Sequence, residues 1–148
     1  MSSNTNKLSD TWLSQLKASG YKLTGPRYCV VEILAHTDKA LTALEIYNQA
    51  HQLYPSIGLV SVYRTLDKLE QLGLLQRVHQ KEKCQAYIGA PQGHEHLLVC
   101  HSCGKVCFFR GDDLKTLVNS VEEKTGYVVQ EHWLQLVGIC KECQYKNT

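Results

Sequence analysis

Apolar positions recur at helical spacing through the first half of the chain. Leu8, Trp12, Leu13 and Leu16 predict a first short helix, stopped at Gly20. Thr24 opens a second: it can cap the backbone donors that follow, Pro26 is tolerated in a first turn, and Tyr28, Val31, Leu34 and Ala35 form an apolar stripe. A third begins at Thr42, where Glu45 completes a capping box and Ile46, Tyr47 and Ala50 face inward, and Pro55 closes the linker behind it. From Gly58 to Leu72, residues Val62, Leu66, Leu69 and Leu72 trace one apolar face while Ser61, Arg64, Thr65 and Lys68 lie on the other, and Gly73 ends the helix. The period then changes to that of strands, around Leu75 to His79 and Gln85 to Ile88, joined by a charged turn through Gln80, Lys81, Glu82 and Lys83.

Helices followed by a strand pair is the order of a winged helix. Ala90, Pro91, Gln92 and Gly93 are small, polar or helix-breaking, which places a hinge at 90–93. Beyond it the pattern predicts a strand (Leu97 to Val99), a Cys-x-x-Cys-Gly knuckle, and a second strand (Lys105 to Phe109). A helix from about Asp112 to Lys124 follows, with Leu114, Leu117, Val118 and Val121 on one face, and then a strand from Tyr127 to Val137. The expected fold class is α+β: an N-terminal winged helix-turn-helix domain over 1–89 and a small α/β domain with a zinc knuckle over 94–148.

Length and composition set the frame for this. The 148 residues are 43% apolar, enough to bury a core, and no apolar run approaches the roughly 20 residues of a membrane span. The N-terminus is polar and lacks the plan of a signal peptide, so the expected location is the cytoplasm, with no membrane partner. Net charge is only +2, but residues 1–91 carry 10 Lys+Arg against 7 Asp+Glu while residues 92–148 carry 6 against 7, so the basic character lies in the helical half.

The 7 cysteines include two Cys-x-x-Cys pairs, Cys100/Cys103 and Cys140/Cys143. Without a secretory signal this spacing favours metal over disulfide. A closed zinc site takes four ligands in a tetrahedron, and each such turn supplies two thiolates; a single ion would clamp two strand ends together. The alternative, a thioredoxin-like dithiol, fits a single motif followed by a helix better than two knuckles in one small domain. Cys29, Cys84 and Cys107 stand outside the pairs and read as structural or neutral.

His94 and His96 lie two residues apart before a strand, so both imidazoles project from one face if that strand reaches back to them. With His132 they form a candidate three-nitrogen site for an exchangeable divalent metal. Asp112 is the candidate fourth ligand, ahead of Asp113 and Glu95, although a carboxylate there also serves as a helix cap. The alternative is two solvated hinge histidines and one satisfied core histidine.

A recognition helix buries one face and offers polar, basic and aromatic side chains to the major groove of double-stranded DNA, which is the plan of Gly58 to Leu72. Tyr63 and Arg64 are the candidate base readers. Ser61, Thr65 and Lys68, with Lys17, Lys22 and Arg27 on earlier elements and Lys81 and Lys83 in the wing, are candidates for phosphates.

With these pieces in place the chain resembles the ferric uptake regulator (Fur) family of metal-dependent repressors. The resemblance rests on Leu-Thr-Gly-Pro-Arg at 23–27, Ile-Gly-Leu-Val-Ser-Val-Tyr-Arg-Thr-Leu at 57–66, Gly-His-Glu-His-Leu-Leu-Val-Cys-His-Ser-Cys-Gly-Lys-Val at 93–106 and Gly-Ile-Cys-Lys-Glu-Cys at 138–143. It implies a homodimer built on the C-terminal domain, a tetracysteine zinc, a regulatory metal near the hinge and a palindromic operator. His94, His96 and His132 fall on three of the four ligand positions of one family sensory site; the fourth, usually acidic, is here Lys115, with Asp112 one turn earlier as the substitute. The usual ligand positions of the other hinge site read as Ala40 or Leu41, Ile88, Leu97 and Phe108, leaving only Glu95. A nitrogen-rich site leans toward zinc over ferrous iron or manganese. The expected protein is therefore a zinc-responsive repressor, with an iron- or peroxide-sensing member, or a zinc-stapled regulator without metal sensing, as alternatives.

The expected mechanism is a population shift in which a metal at the hinge histidines holds two winged helices at the spacing of operator half-sites. Two rivals from other classes are an enzyme, either a thiol oxidoreductase or a zinc hydrolase, and a zinc-stapled protein-interaction module. No general base or nucleophile stands beside His94 and His96 to support the first.

Overall fold

In a computed structural model the described residues are 2–79, 85–91, 95–111 and 114–146. Candidates Lys81, Lys83, Cys84, His94, Asp112 and Asp113 lie outside them. The chain divides into two compact units, residues 1–90 and 91–148.

The first unit holds helices α1 (Ser2–Ala18), α2 (Gly25–His36), α3 (Ala43–Leu53) and α4 (Leu59–Gln71), with strands β1 (Leu41–Thr42), β2 (Leu75–Val78) and β3 (Ala86–Gly89). Trp12, Leu16, Val31, Leu34, Ile46, Val62, Leu66 and Leu69 bury their side chains in a common core, which takes the apolar stripe of each helix out of water. Local chemistry sets the helix starts. The Thr24 hydroxyl accepts from the Arg27 amide, and Pro26 sits in the first turn of α2. Thr42 and Glu45 form a reciprocal capping box on α3, with the Glu45 amide donating to the Thr42 hydroxyl at 3.2 Å and the Thr42 amide to the Glu45 carboxylate at 2.8 Å. α1 runs back through the polar N-terminus to Ser2, longer than the short helix its apolar residues predict.

Glycines close two of these helices. Gly20, at φ +86, lets its own amide bond Lys17 C=O at 3.0 Å and the Tyr21 amide bond Leu16 C=O at 3.1 Å, which is the paired closure of a Schellman motif. Gly73, at φ +73, ends α4 in the same way through Glu70 and Leu69. The three strands form an antiparallel sheet in the order β1-β3-β2. β1 is not foreseen by the sequence reading because its two residues are spent on the α3 cap as well as on pairing, Leu41 with Tyr87 and Thr42 with Ala86. Arg77 on β2 donates to Glu70 on α4 at 2.7 Å and also bonds Gln85, tying the strand pair to the end of that helix.

The second unit holds β4 (Glu95–Cys100), β5 (Val106–Arg110), α5 (Leu114–Thr125), β6 (Gln135–Gly138) and α6 (Lys141–Lys146). Its sheet order is β5-β4-β6, with β5 antiparallel and β6 parallel to the central β4. The last strand is shorter than the predicted Tyr127 to Val137. Gln135 pairs with Leu97, so residues before 133 would run past the start of β4 with no partner. The Val129 amide turns instead to the Glu122 carboxylate at 2.8 Å. His132 therefore lies in an irregular, exposed segment ahead of the strand, not in its middle. Among the described residues no helix is long and apolar enough to cross a membrane.

Candidate metal centre and nucleic-acid interface

Parallel pairing of β4 and β6 sends both strands out of the sheet at the same edge, with Cys100 in register with Gly138. The His101 amide donates to Gly138 C=O at 2.8 Å, fixing the two exits side by side. Each strand then turns through a Cys-x-x-Cys segment, and the sulfurs of Cys100, Cys103, Cys140 and Cys143 all lie within 4.8 Å of one another. Cys103 Sγ and Cys140 Sγ are 3.7 Å apart. Four thiolates at about 2.3 Å from one ion have tetrahedral edges of about 3.8 Å, so the cluster has the dimensions of a zinc site.

The protonation of the cluster points the same way. Burial opposes ionisation of the Cys100 thiol, but backbone amides of Cys140, Cys103 and Ser102 outweigh it and draw the thiol down to about 6. The Cys140 amide reaches Cys100 Sγ at 3.3 Å. Cys143 goes the other way, pushed up to about 12 by its hydrogen bond with Cys140, then by burial and by the other two cysteines. One negative charge is welcome in this nest of sulfurs and a full set is not, unless a cation sits among them. Among the described residues these cysteines are the group of three or more ligand-type side chains that could hold an ion.

The histidines are partly visible. His96 is 8% exposed, and its ring packs 5.6 Å from Phe109 and 5.5 Å from His132, centroid to centroid. Two imidazoles sharing a tetrahedral ion at about 2.1 Å place their ring centres about 5 Å apart. The observed centroid separation is close to that spacing. Lys115 is exposed near the start of α5.

On the first unit, α4 exposes Tyr63 and Arg64, with Leu59 and Val60 beside them. Ser61 and Lys68 are partly exposed on the same helix, and Lys17 and Lys22 are exposed on or just after α1. Thr65 does not belong with them. It is 1% exposed and its hydroxyl donates to Ser61 C=O at 2.9 Å, so the helix turns it into the core and it has no route to a phosphate. The sequence reading errs here because a threonine between Arg64 and Leu66 looks polar, whereas its methyl packs as an apolar group once the hydroxyl is satisfied within the helix. A residue the sequence reading passes over is Tyr21, whose ring lies beneath Arg27 at 5.9 Å and Lys68 at 5.2 Å from its centroid.

The sequence matches the Ferric uptake regulator family over residues 18–137. The Ferric uptake regulation protein of Neisseria meningitidis serogroup A is 33% identical over 136 residues, covering 91% of this chain and 94% of its own length. The chain belongs to the ferric uptake regulator family. Solved structures of the family share its fold. The Helicobacter pylori ferric uptake regulator Fur is 25% identical with a TM-score of 0.70, the match spanning 95% of this chain and 93% of that one. The Vibrio cholerae ferric uptake regulator is 30% identical with a TM-score of 0.67, spanning 86% and 98%. The family match ends before Cys140 and Cys143, so for this family member the second half of the sulfur cluster is read from its own β4/β6 geometry.

Proposed function

We propose that this chain is a metal-responsive transcription regulator that binds a palindromic operator in double-stranded DNA as a homodimer. Residues 1–89 form its winged-helix reading head, 90–93 its hinge, and 94–148 its metal-binding dimerisation domain, and it works in the cytoplasm. A permanent zinc is held by Cys100, Cys103, Cys140 and Cys143. An exchangeable divalent ion, zinc by preference, is held by His94, His96, His132 and Asp112. Tyr63 and Arg64 read bases; Ser61, Lys68, Lys17, Lys22 and Arg27 meet phosphates.

The observation that carries the reading is the buried His96 ring beside His132, in the same unit as the sulfur cluster but on different side chains. One donor set is all sulfur, suited to a closed structural ion; the other is nitrogen-rich and reaches solvent through His132, suited to exchange. Support for the homodimer comes from the apolar surface of the second unit: α5 buries none of its side chains, and Leu117, Leu136, Val137 and Ile139 are all exposed. Occupancy of the histidine site shifts the population toward the DNA-binding form by its differential affinity for that form.

A second reading keeps the same architecture with ferrous iron as the regulatory ion, favoured by relatives at 33% identity that are named for ferric uptake. One experiment addresses both. Protein purified without added metal is presented with a pool of random duplex DNA in zinc, in ferrous iron under anaerobic conditions, or in chelator, and bound sequences are counted. A palindrome enriched only with metal is expected, strongest in zinc, while His96→Ala retains one tightly held zinc per chain and loses the enrichment. Equal enrichment by wild type and His96→Ala in excess metal, or binding of just a single ion per chain, overturns the sensing function; enrichment confined to iron selects the second reading.

A further inference from the structure

Two of the cations proposed to meet phosphates come from different helices and converge on one ring. Tyr21 is placed by the closure of α1, through its amide bond to Leu16 C=O at 3.1 Å, and it packs partly against the core of the first unit. Arg27, in the first turn of α2, has its guanidinium carbon 5.9 Å from the centroid of that ring, and its Nη1 is held by Lys22 C=O at 2.5 Å. Lys68, one turn beyond Arg64 on α4, brings its Nζ to 5.2 Å from the same centroid. Among the described residues neither cation has a carboxylate within ion-pair distance.

Like charges drawn together without a counter-ion repel, and a lysine on a helix surface has many rotamers open to it. The negative face of the ring offsets the first and narrows the second. What results is two cations, each ordered in advance by the same ring and neither with an anion, one of them on the helix that carries Tyr63 and Arg64. We infer that Tyr21 is a positioning residue of the DNA-facing surface, its ring holding Arg27 and Lys68 as one paired contact for a single stretch of phosphate backbone. The inference rests on the DNA-binding reading above. Tyr21 itself reads no base. Its effect is on both phosphate contacts at once, and so on binding to any sequence.

The test is a salt series of anisotropy titrations, using the full-length protein saturated with zinc and a labelled duplex of mixed sequence, on which affinity is almost wholly electrostatic. Tyr21→Leu keeps the apolar body and removes the ring face. It is expected to bind about tenfold more weakly and to flatten the slope of log K against log salt by about 1 to 2, as one or two phosphate contacts are lost. Tyr21→Phe keeps the face and is expected to keep both affinity and slope. Tyr21→Leu with the wild-type slope, whatever its affinity, assigns the ring to helix packing and overturns the inference, as does a Tyr21→Phe that behaves like Tyr21→Leu. Should Tyr21→Leu fail to fold, Arg27→Ala and Lys68→Ala alone and together decide it: a combined loss smaller than the product of the single losses supports the pairing, and simple multiplication refutes it. If wild type shows no salt-dependent binding, the DNA-binding reading itself falls, an outcome distinct from the others.

Discussion

At the scale of single residues, the sulfur cluster turns on where its protons are. Backbone amides draw the Cys100 thiol from its ordinary 9.0 down to about 6, which favours one thiolate in the cluster at neutral pH before any ion arrives. Zinc loading at neutral pH is therefore expected to release fewer than four protons per ion, read by calorimetry in buffers of different ionisation enthalpy. Release of four would show Cys100 to be protonated. In the metal-free protein Cys100 contributes stability that is present above 9.0 and lost as pH falls through about 6. Cys143 has the opposite sign: its contribution is present below 9.0 and lost as pH rises through about 12. Unfolding of the chelated second unit, followed across pH by denaturant titration, is thus expected to be easier on both the acid and the strongly alkaline side.

At the scale of elements, the helix ends of the first unit are local motifs and their removal has a local magnitude. Thr42→Ala dismantles the α3 capping box and is expected to cost about 1 kcal/mol of unfolding free energy. Gly20→Ala meets no neighbouring atom within 4 Å, so its cost of about 1 kcal/mol is conformational, from a Cβ at positive φ. Denaturant unfolding checks both, and a Gly20→Ala that leaves stability unchanged would mean that α1 closes in some other way. These same motifs made the first unit legible in the sequence: Thr24, Thr42, Gly20 and Gly73 announce helix ends through bonds to residues at most five away. The second unit was legible only in part. The cysteine spacing announced the cluster, but the extent of β6 depends on how far β4 reaches alongside it, which is a fact about a strand some 40 positions earlier. The apolar residues from Tyr127 onward carry no mark of where that partner ends. Thr65 and Tyr21 were misjudged or missed for a related reason, since the direction of one side chain and the sharing of one ring by two helices are set by packing.

At the scale of the whole molecule, the two units have different sources of stability. The first has its own buried core, from Trp12 to Tyr87. The second buries Leu97, Val99 and Cys100 on its central strand but nothing on α5 or α6. Exhaustive chelation under reducing conditions is expected to unfold the second unit while α1 to α4 persist, seen as retained helical circular dichroism with newly protease-sensitive sites beyond residue 91. A single transition that removes all helix at once would show that the first unit depends on the ion as well.

The parallel seating of β6 against β4 has a consequence for how the protein is made. A ribosome delivers the β4–β5 hairpin first, and 37 positions separate Cys103 from Cys140, so the strand that completes the sheet arrives late and from far along the chain. Until it docks, one long side of β4 is an open template carrying Leu97 and Val99, the kind of edge that recruits strands from neighbouring chains. An ion held by the four cysteines would secure β6 without a covalent bond, so scarcity of that ion during translation would prolong the exposure of this edge.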